Sequence, residues 1–125
     1  MQDRRFVVQE HTTAEGVHWD LMLEEGDGLT TFRLEAGPAI VVDHAVRAEK
    51  IFDHPLRFLT YEGPVQQGAG QVRIVEQGEM RLLKSSENAI VMELAGDILQ
   101  GVFELTQTEG DWWRFASGSA SGGEA

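Results

Sequence analysis

The fold class is decided by the stretch His18-Trp-Asp-Leu-Met-Leu-Glu24, Glu25-Gly-Asp-Gly28 and Leu29-Thr-Thr-Phe-Arg-Leu-Glu35. The outer segments are rich in the aliphatic, β-branched and aromatic residues that favour strands. The Gly-Asp-Gly sequence between them is a strong hairpin signal, because its residues adopt the positive φ angles that tight turns need. The stretch therefore predicts two antiparallel strands whose side chains alternate between the two faces of a sheet.

The same kind of pattern recurs along the chain, with turn residues at roughly 8–12-residue spacing. We predict further strands over Phe6–Glu10, Gln71–Glu76, Glu79–Lys84, Ala89–Leu94, Gly101–Gln107 and Trp112–Ala116, with turns at Gln77-Gly78, Ser85–Asn88 and Glu109–Asp111. Ile40–Val42 is a short apolar segment, and Ala45–Ile51 is ambiguous between strand and helical turn. The expected fold is all-β: a compact, mainly antiparallel β-barrel of about eight strands with little helix.

Length and composition indicate one domain. The chain has 125 residues, of which 42% are apolar, enough for a single buried core. We expect the barrel to occupy residues 1–116, and Ser117–Ala125 to form a disordered tail of Gly/Ser-rich linker composition. With no cysteine, any metal ion must be held by His, Asp or Glu.

The charge and the termini restrict the function. No apolar segment is long enough to span a bilayer, and no signal segment precedes Phe6, so a cytoplasmic protein without a membrane partner is expected. The net charge of −11 argues against a protein that coats DNA and predicts weak non-specific DNA binding. It leaves room for a small pocket in which a cation and a few basic groups hold one phosphate.

Four histidines are the residues most suited to chemistry. His18 and Asp20 are two residues apart in a predicted strand, so both side chains project from one face. His11, just past the first predicted strand, could supply a third ligand to an open, catalytic type of metal site. The alternative is an ordinary surface histidine bonded to a neighbouring carboxylate. By the same reasoning His44 is assigned to the surface, and His54, which precedes a proline, has a structural alternative.

The order of several short motifs adds to this reading. The chain contains Arg5-Phe-Val-Val-Gln-Glu-His11, His18-Trp-Asp-Leu-Met-Leu-Glu24, Asp53-His-Pro-Leu56, Tyr61-Glu-Gly63 and Gly68-Ala-Gly70, and later Glu76-Gln-Gly78 and Leu94-Ala-Gly-Asp-Ile-Leu-Gln-Gly101. From about Arg5 to Gln107 the sequence resembles the 3′-phosphoesterase domain of bacterial DNA ligase D. The first two motifs are the specific part of the resemblance.

The resemblance implies a β-barrel that trims DNA 3′ ends, removing a terminal ribonucleoside or a 3′-phosphate. It implies that His11, His18 and Asp20 hold a divalent cation, typically Mn²⁺ with Zn²⁺ as the competitor, and that His54 contacts the scissile phosphate as a catalytic group. The chemistry agrees, since imidazole and carboxylate suit Mn²⁺ and a histidine can move a proton near neutral pH. The expected partners are a nucleic-acid 3′ end or another phosphate ester, and other DNA-repair proteins.

The chain departs from the family at several positions. Met22 stands where the family has an arginine, Phe58 where it has a tyrosine, and Ala36 where it has a lysine. One extra residue separates the first two histidines, which predicts a bulge in Thr12–Val17. The lost groups would contact phosphate. Basic and hydroxyl groups near His54 are possible replacements for them, namely Arg47, Lys50, Arg57 and Tyr61.

Three functions follow. The first is a metal-dependent phosphoesterase for nucleic-acid 3′ ends, with its three metal ligands on the inner wall of the barrel. The second is a catalytically impaired metal-binding barrel that serves as an interaction module for a repair partner, which the departures and the acidity favour. The third is an Fe(II) oxygenase of the 2-His-1-carboxylate type, which would use His18, Asp20 and His54 and leave His11 idle.

Overall fold

A computed structural model describes residues 4–65 and 70–118 of the chain. Residues 1–3, Gly68 and Ala69 of the glycine motif, and tail residues 119–125 lie outside this range. The described residues form nine strands, a one-turn helix α1 (Pro38–Val41) and a 3₁₀ turn (Leu56–Leu59). The strands are β1 (Arg4–Thr13), β2 (Gly16–Glu25), β3 (Gly28–Leu34), β4 (Val46–Pro55), β5 (Gly63–Pro64), β6 (Gln71–Ser86), β7 (Ala89–Ala95), β8 (Gln100–Glu109) and β9 (Trp112–Ser117).

Eight of these strands form a closed antiparallel barrel. Their spatial order is β1-β2-β3-β4-β9-β8-β7-β6, and a further pairing of β1 with β6 closes the ring. The two-residue strand β5 adds to β6 beside the seam. Closure satisfies the backbone groups that an open sheet would leave at its edges. The predicted all-β barrel of about eight strands is confirmed.

The main core fills the barrel interior. It contains Phe6 and Val8 of β1 and Leu21 of β2, which pack with Phe103 and Phe115 from the far wall. Alternation along a strand then places the intervening residues of β1 and β2 on the outer face of the wall. The side chains that matter for the site lie on that outer face.

A second apolar cluster covers part of the outer face. Val7, Met22 and Leu29 are buried there against Leu59 of the 3₁₀ turn, and Leu56, Phe58 and Ile74 pack around them. The segment of residues 56–61, here called the roof segment, thus lies over β1–β3. Buried Gln9 fastens it, because its Nε2 donates to the carbonyl oxygens of Phe58 (2.9 Å) and Tyr61 (3.0 Å).

Two local predictions are corrected. Gln77-Gly78 is not a turn, because β6 continues through it; a Cβ on Gly78 would overlap the Ala95 carbonyl, so this glycine permits a close approach of two backbones. The expected bulge in Thr12–Val17 is absent, since β1 and β2 stay in register to their hairpin end.

Other segments resolve as follows. The ambiguous Ala45–Ile51 segment becomes the start of strand β4, while most of Ile40–Val42 lies in helix α1. Ser117, expected in the tail, is the last residue of β9. Among the described residues, no helix combines the length and the apolar character that crossing a membrane requires.

Candidate metal centre

The site is assembled by the register of two hairpins. In the first, β1 pairs with β2 so that His11 is opposite His18 and Gln9 is opposite Asp20. In the second, β2 pairs with β3 so that Asp20 is opposite Arg33. Directly opposed residues share a face, so the two histidines, the carboxylate and the guanidinium converge on one patch of the wall.

The three predicted metal ligands come together. His11 Nδ1 lies 3.0 Å from His18 Nε2, and the two rings meet edge to face. Asp20 Oδ1 lies 3.5 Å from His18 Nε2, and Asp20 Oδ2 lies 4.0 Å from His11 Nδ1. Within the described residues these three side chains form a group whose ligand atoms all lie within 4.8 Å of one another.

The arrangement fits a divalent cation. Ligand atoms that each sit about 2.0–2.2 Å from one ion are roughly 3–3.6 Å from one another, close to the separations seen here. Asp20 is 3% exposed. Its Oδ1 has no hydrogen-bond partner among the described residues. A buried carboxylate oxygen without a donor is costly, and a bound cation would satisfy it.

The position of the group corrects the sequence expectation in one respect. His18 and Asp20 alternate with Leu21, which belongs to the main core, so they project outward and not into the barrel. The interior is filled by large apolar side chains, which offer no ligand atoms to an ion. The site therefore opens on the outer wall, next to the roof segment.

Arg33 is a site residue that the sequence interpretation missed. Its Nε lies 3.6 Å from Asp20 Oδ1 and is buried without a hydrogen-bond partner in the described part of the chain, while the side chain as a whole is 41% exposed. The sequence does contain a signal for the contact between Arg33 and Asp20. The tight turn after Glu25 sets the register of the hairpin and thereby places Arg33 opposite Asp20.

His54 lies at the end of β4, beside the roof segment. Its Nδ1 is 3.0 Å from Thr31 Oγ1 and 3.2 Å from the Phe52 carbonyl oxygen. Burial lowers the pKa of His54 below its ordinary value of 6.5, although the Asp20 carboxylate acts in the opposite direction. Burial therefore favours the neutral form of His54, whose second ring nitrogen is Nε2.

The glycine motif approaches the metal group through Gly70. This residue has a φ of 105°, and a Cβ at its position would overlap the Thr12 carbonyl oxygen and lie 3.2 Å from His11 Nε2. A side chain here would push against His11, so glycine is needed for close packing as well as for backbone conformation.

The four residues predicted to contact phosphate make other contacts in the described part of the chain. Arg47 faces Glu35 (3.5 Å) and lies over the ring of Trp112, while Lys50 is in register with core residue Phe32. Arg57 is exposed over the ring of Phe58, and Tyr61 donates its hydroxyl to the Pro64 carbonyl. None of these contacts involves His11, His18 or Asp20. Their role in phosphate binding stays a prediction.

The substituted family positions have become apolar contacts. Met22 is 1% exposed in the outer cluster, where Phe58 packs against the same group of residues. Ala36 packs against the main core. The metal-capable group includes His11 and leaves out His54, which does not match the ligand set of the oxygenase alternative.

Fold and site together define a closed β-barrel with a His/His/Asp group on its outer wall. The family model of the DNA ligase D 3′-phosphoesterase domain matches residues 9–107. This chain belongs to that family.

Similarity to individual proteins agrees with this family assignment. The chain is 30% identical over 126 residues to the multifunctional non-homologous end joining protein LigD of Mycolicibacterium smegmatis, a match covering 87% of this chain and 16% of that protein. It is 31% identical over 118 residues to LigD of Mycobacterium bovis (86% and 15%) and 31% identical over 114 residues to LigD of Pseudomonas aeruginosa (83% and 13%). The chain thus corresponds to a small part of these long proteins.

Proposed function

We propose that this protein is a divalent-metal-dependent phosphoesterase that acts on nucleic-acid 3′ ends during end-joining repair. The observation that carries the proposal is the convergence of His11, His18 and Asp20 in a chain of this family. Mn²⁺ is the favoured cation because two imidazoles and a carboxylate suit it, with Zn²⁺ the main competitor. The substrate would be a 3′-phosphate or a 3′-terminal ribonucleotide.

The three ligands would hold the cation at the rim of the roof segment. A bound divalent cation supplies Lewis acidity, which polarises a phosphoryl oxygen and stabilises charge that develops on it. Three protein ligands leave coordination positions open to solvent and substrate, as catalytic sites require.

Arg33 would supply the positive charge that Met22 no longer provides. Its Nε faces Asp20, and because the side chain is 41% exposed, its terminal nitrogens would be able to reach a phosphate oxygen beside the cation. Guanidinium–phosphate hydrogen bonds are charge-assisted and about twice as strong as neutral ones.

His54 would act on the opposite side of the phosphate. Thr31 and the Phe52 carbonyl hold Nδ1, which leaves Nε2 for the substrate. Burial favours the neutral imidazole, so Nε2 would be able to accept a proton from solvent as the phosphate binds. As water attacks the phosphorus and the bond between phosphorus and the leaving oxygen breaks, the imidazolium would donate this proton to the leaving oxygen, and the attacking water would lose its proton to solvent.

The test pairs metal binding with turnover. Mn²⁺ should raise the melting temperature of the wild type and support hydrolysis of a 3′-phosphorylated primer, and His18→Ala should abolish both effects. His44→Ala is the matched control, because His44 is an exposed histidine outside the site. Absence of hydrolysis on 3′-phosphate and 3′-ribonucleotide primers with Mn²⁺, Zn²⁺, Co²⁺ or Mg²⁺ would contradict the proposal.

A second candidate is a metal-binding barrel that has lost turnover and serves as a module for a repair partner. The observation in its favour is that Met22 and Phe58 form apolar contacts where the family has polar groups. An Mn²⁺-dependent rise in melting temperature that His18→Ala removes, without hydrolysis of any primer, would favour this candidate.

A further inference from the structure

Phe52 is the most exposed large apolar side chain in the described part of the chain. It is 74% exposed, although it sits on β4 only two residues from His54. Its ring is stacked on the His54 imidazole, with centroids 4.9 Å apart and planes inclined by 14°. One face of the ring therefore covers His54, and the opposite face is presented to solvent.

Aromatic side chains of the roof segment support the stacked Phe52 and His54 rings. The His54 ring meets Phe58 edge to face at 5.5 Å, and Phe58 meets Tyr61 in the same way at 5.6 Å. Gln9 fixes the backbone of the last two residues to β1. Phe52 is thus the outermost of four successive rings that begin at the roof segment and end beside the proposed reaction centre.

The charge of the protein makes a stacking contact useful. At a net charge of −11, a nucleic acid gains little from general attraction between its phosphates and the protein surface. An aromatic face binds any base through stacking, and this contact depends little on salt. An acidic protein that must hold a strand end therefore needs such a face near its site.

We propose that the outer face of Phe52 is the binding platform for the nucleobase next to the scissile phosphate. The inference rests on the proposed function for the position of the phosphate, and adds that the ligand is a nucleotide with no preference among the four bases. With the phosphate between the cation and His54, the attached sugar directs its base along the stack toward Phe52.

The test compares two primers with the same 3′-phosphate, one with a normal terminal nucleotide and one with a terminal abasic sugar. For the wild type the base should lower KM by about 5- to 100-fold, the range that stacking on one aromatic ring provides. Phe52→Ala should lose this preference, so that its KM is the same for the two primers; comparing the primers within one variant cancels any effect of the substitution on His54. Phe52→Trp should keep the preference. Trp112→Ala, which removes a partly exposed aromatic ring elsewhere on the barrel, should behave as the wild type.

A binding measurement separates this inference from the proposed function. The fluorescence of a 3′-terminal 2-aminopurine should be quenched by the wild type and not by Phe52→Ala. The difference in quenching between the two proteins should stay the same between roughly 50 and 200 mM salt. Quenching that depends on Phe52 without turnover of any primer would reject the phosphoesterase and retain the platform.

Two results would overturn the inference. One is an equal base preference in the wild type and in Phe52→Ala. The other is loss of self-association in Phe52→Ala, measured by analytical ultracentrifugation, with base preference unchanged, which would make Phe52 a contact between copies of the chain.

Discussion

Replacing Arg33 by methionine should lower the stability of the metal-free protein, strengthen metal binding and weaken phosphate binding. Methionine keeps much of the apolar stem and removes the guanidinium. Without a metal, the buried Asp20 carboxylate loses the cation 3.6 Å from its Oδ1. At such a distance two unit charges attract by about 4 kcal/mol in an effective dielectric of 20. Since Arg33 is 41% exposed, solvent reduces the net loss to about 1–2 kcal/mol.

The same substitution should improve metal binding and impair phosphate binding. A divalent cation held by Asp20 is repelled by Arg33, so its dissociation constant should fall roughly tenfold in the variant. A phosphate group loses a charge-assisted hydrogen bond of about 1.5–3 kcal/mol, so its dissociation constant should rise about 10- to 100-fold. Few structural defects would produce changes of opposite sign.

Calorimetry and thermal unfolding measure all three quantities. We expect the metal-free melting temperature to fall by roughly 3–8 °C, Mn²⁺ titration to show tighter binding, and titration with a nucleoside 3′-monophosphate in the presence of Mn²⁺ to show weaker binding. Arg81→Met is the control, because Arg81 pairs with Glu93 at the same distance of 3.6 Å on another part of the barrel. Weaker Mn²⁺ binding in Arg33→Met, or unchanged phosphate binding, would refute the assigned role.

Two further predictions concern stability. Glu76→Gln should lower the free energy of unfolding by about 2–4 kcal/mol in urea titrations, because the buried carboxylate accepts backbone N–H groups from Gln77, Asp97, Ile98 and Leu99, and an amide cannot accept them all. His54→Asn should remove a pH dependence: since burial lowers the folded-state pKa, the wild type should lose stability relative to the variant as pH falls below 6.5. A difference between the two proteins that stays constant from pH 8 to about pH 5 would contradict this sign.

The sequence predicted the barrel well because hairpin signals act locally. The turn after Glu25 specifies the β2–β3 register, and the alternation of His18 and Asp20 correctly placed both on one face. Gly78 was misread as a turn because a glycine that admits a neighbouring backbone looks the same in sequence as one that bends the chain. Which face points inward depends on the whole ring of strands, so the outward orientation of the site could not be read from the hairpin alone.

The sequence predicted the grouping of two histidines and a carboxylate, and it missed the guanidinium beside them. His11, His18 and Asp20 were found from spacing and motif, and the structure groups them. Arg33 is 13 positions from Asp20 along the chain, and only the pairing of β2 with β3 brings the two side chains together, so proximity in sequence does not indicate this contact.

All three proposed metal ligands belong to one hairpin and lie within ten consecutive positions, His11 to Asp20. Such a hairpin can form during synthesis, before β6 has left the ribosome to close the ring. Metal capture would then precede completion of the fold, and the unfolded chain would keep some affinity for the ion. The stabilisation gained from added metal would accordingly be smaller than the affinity of the finished protein implies.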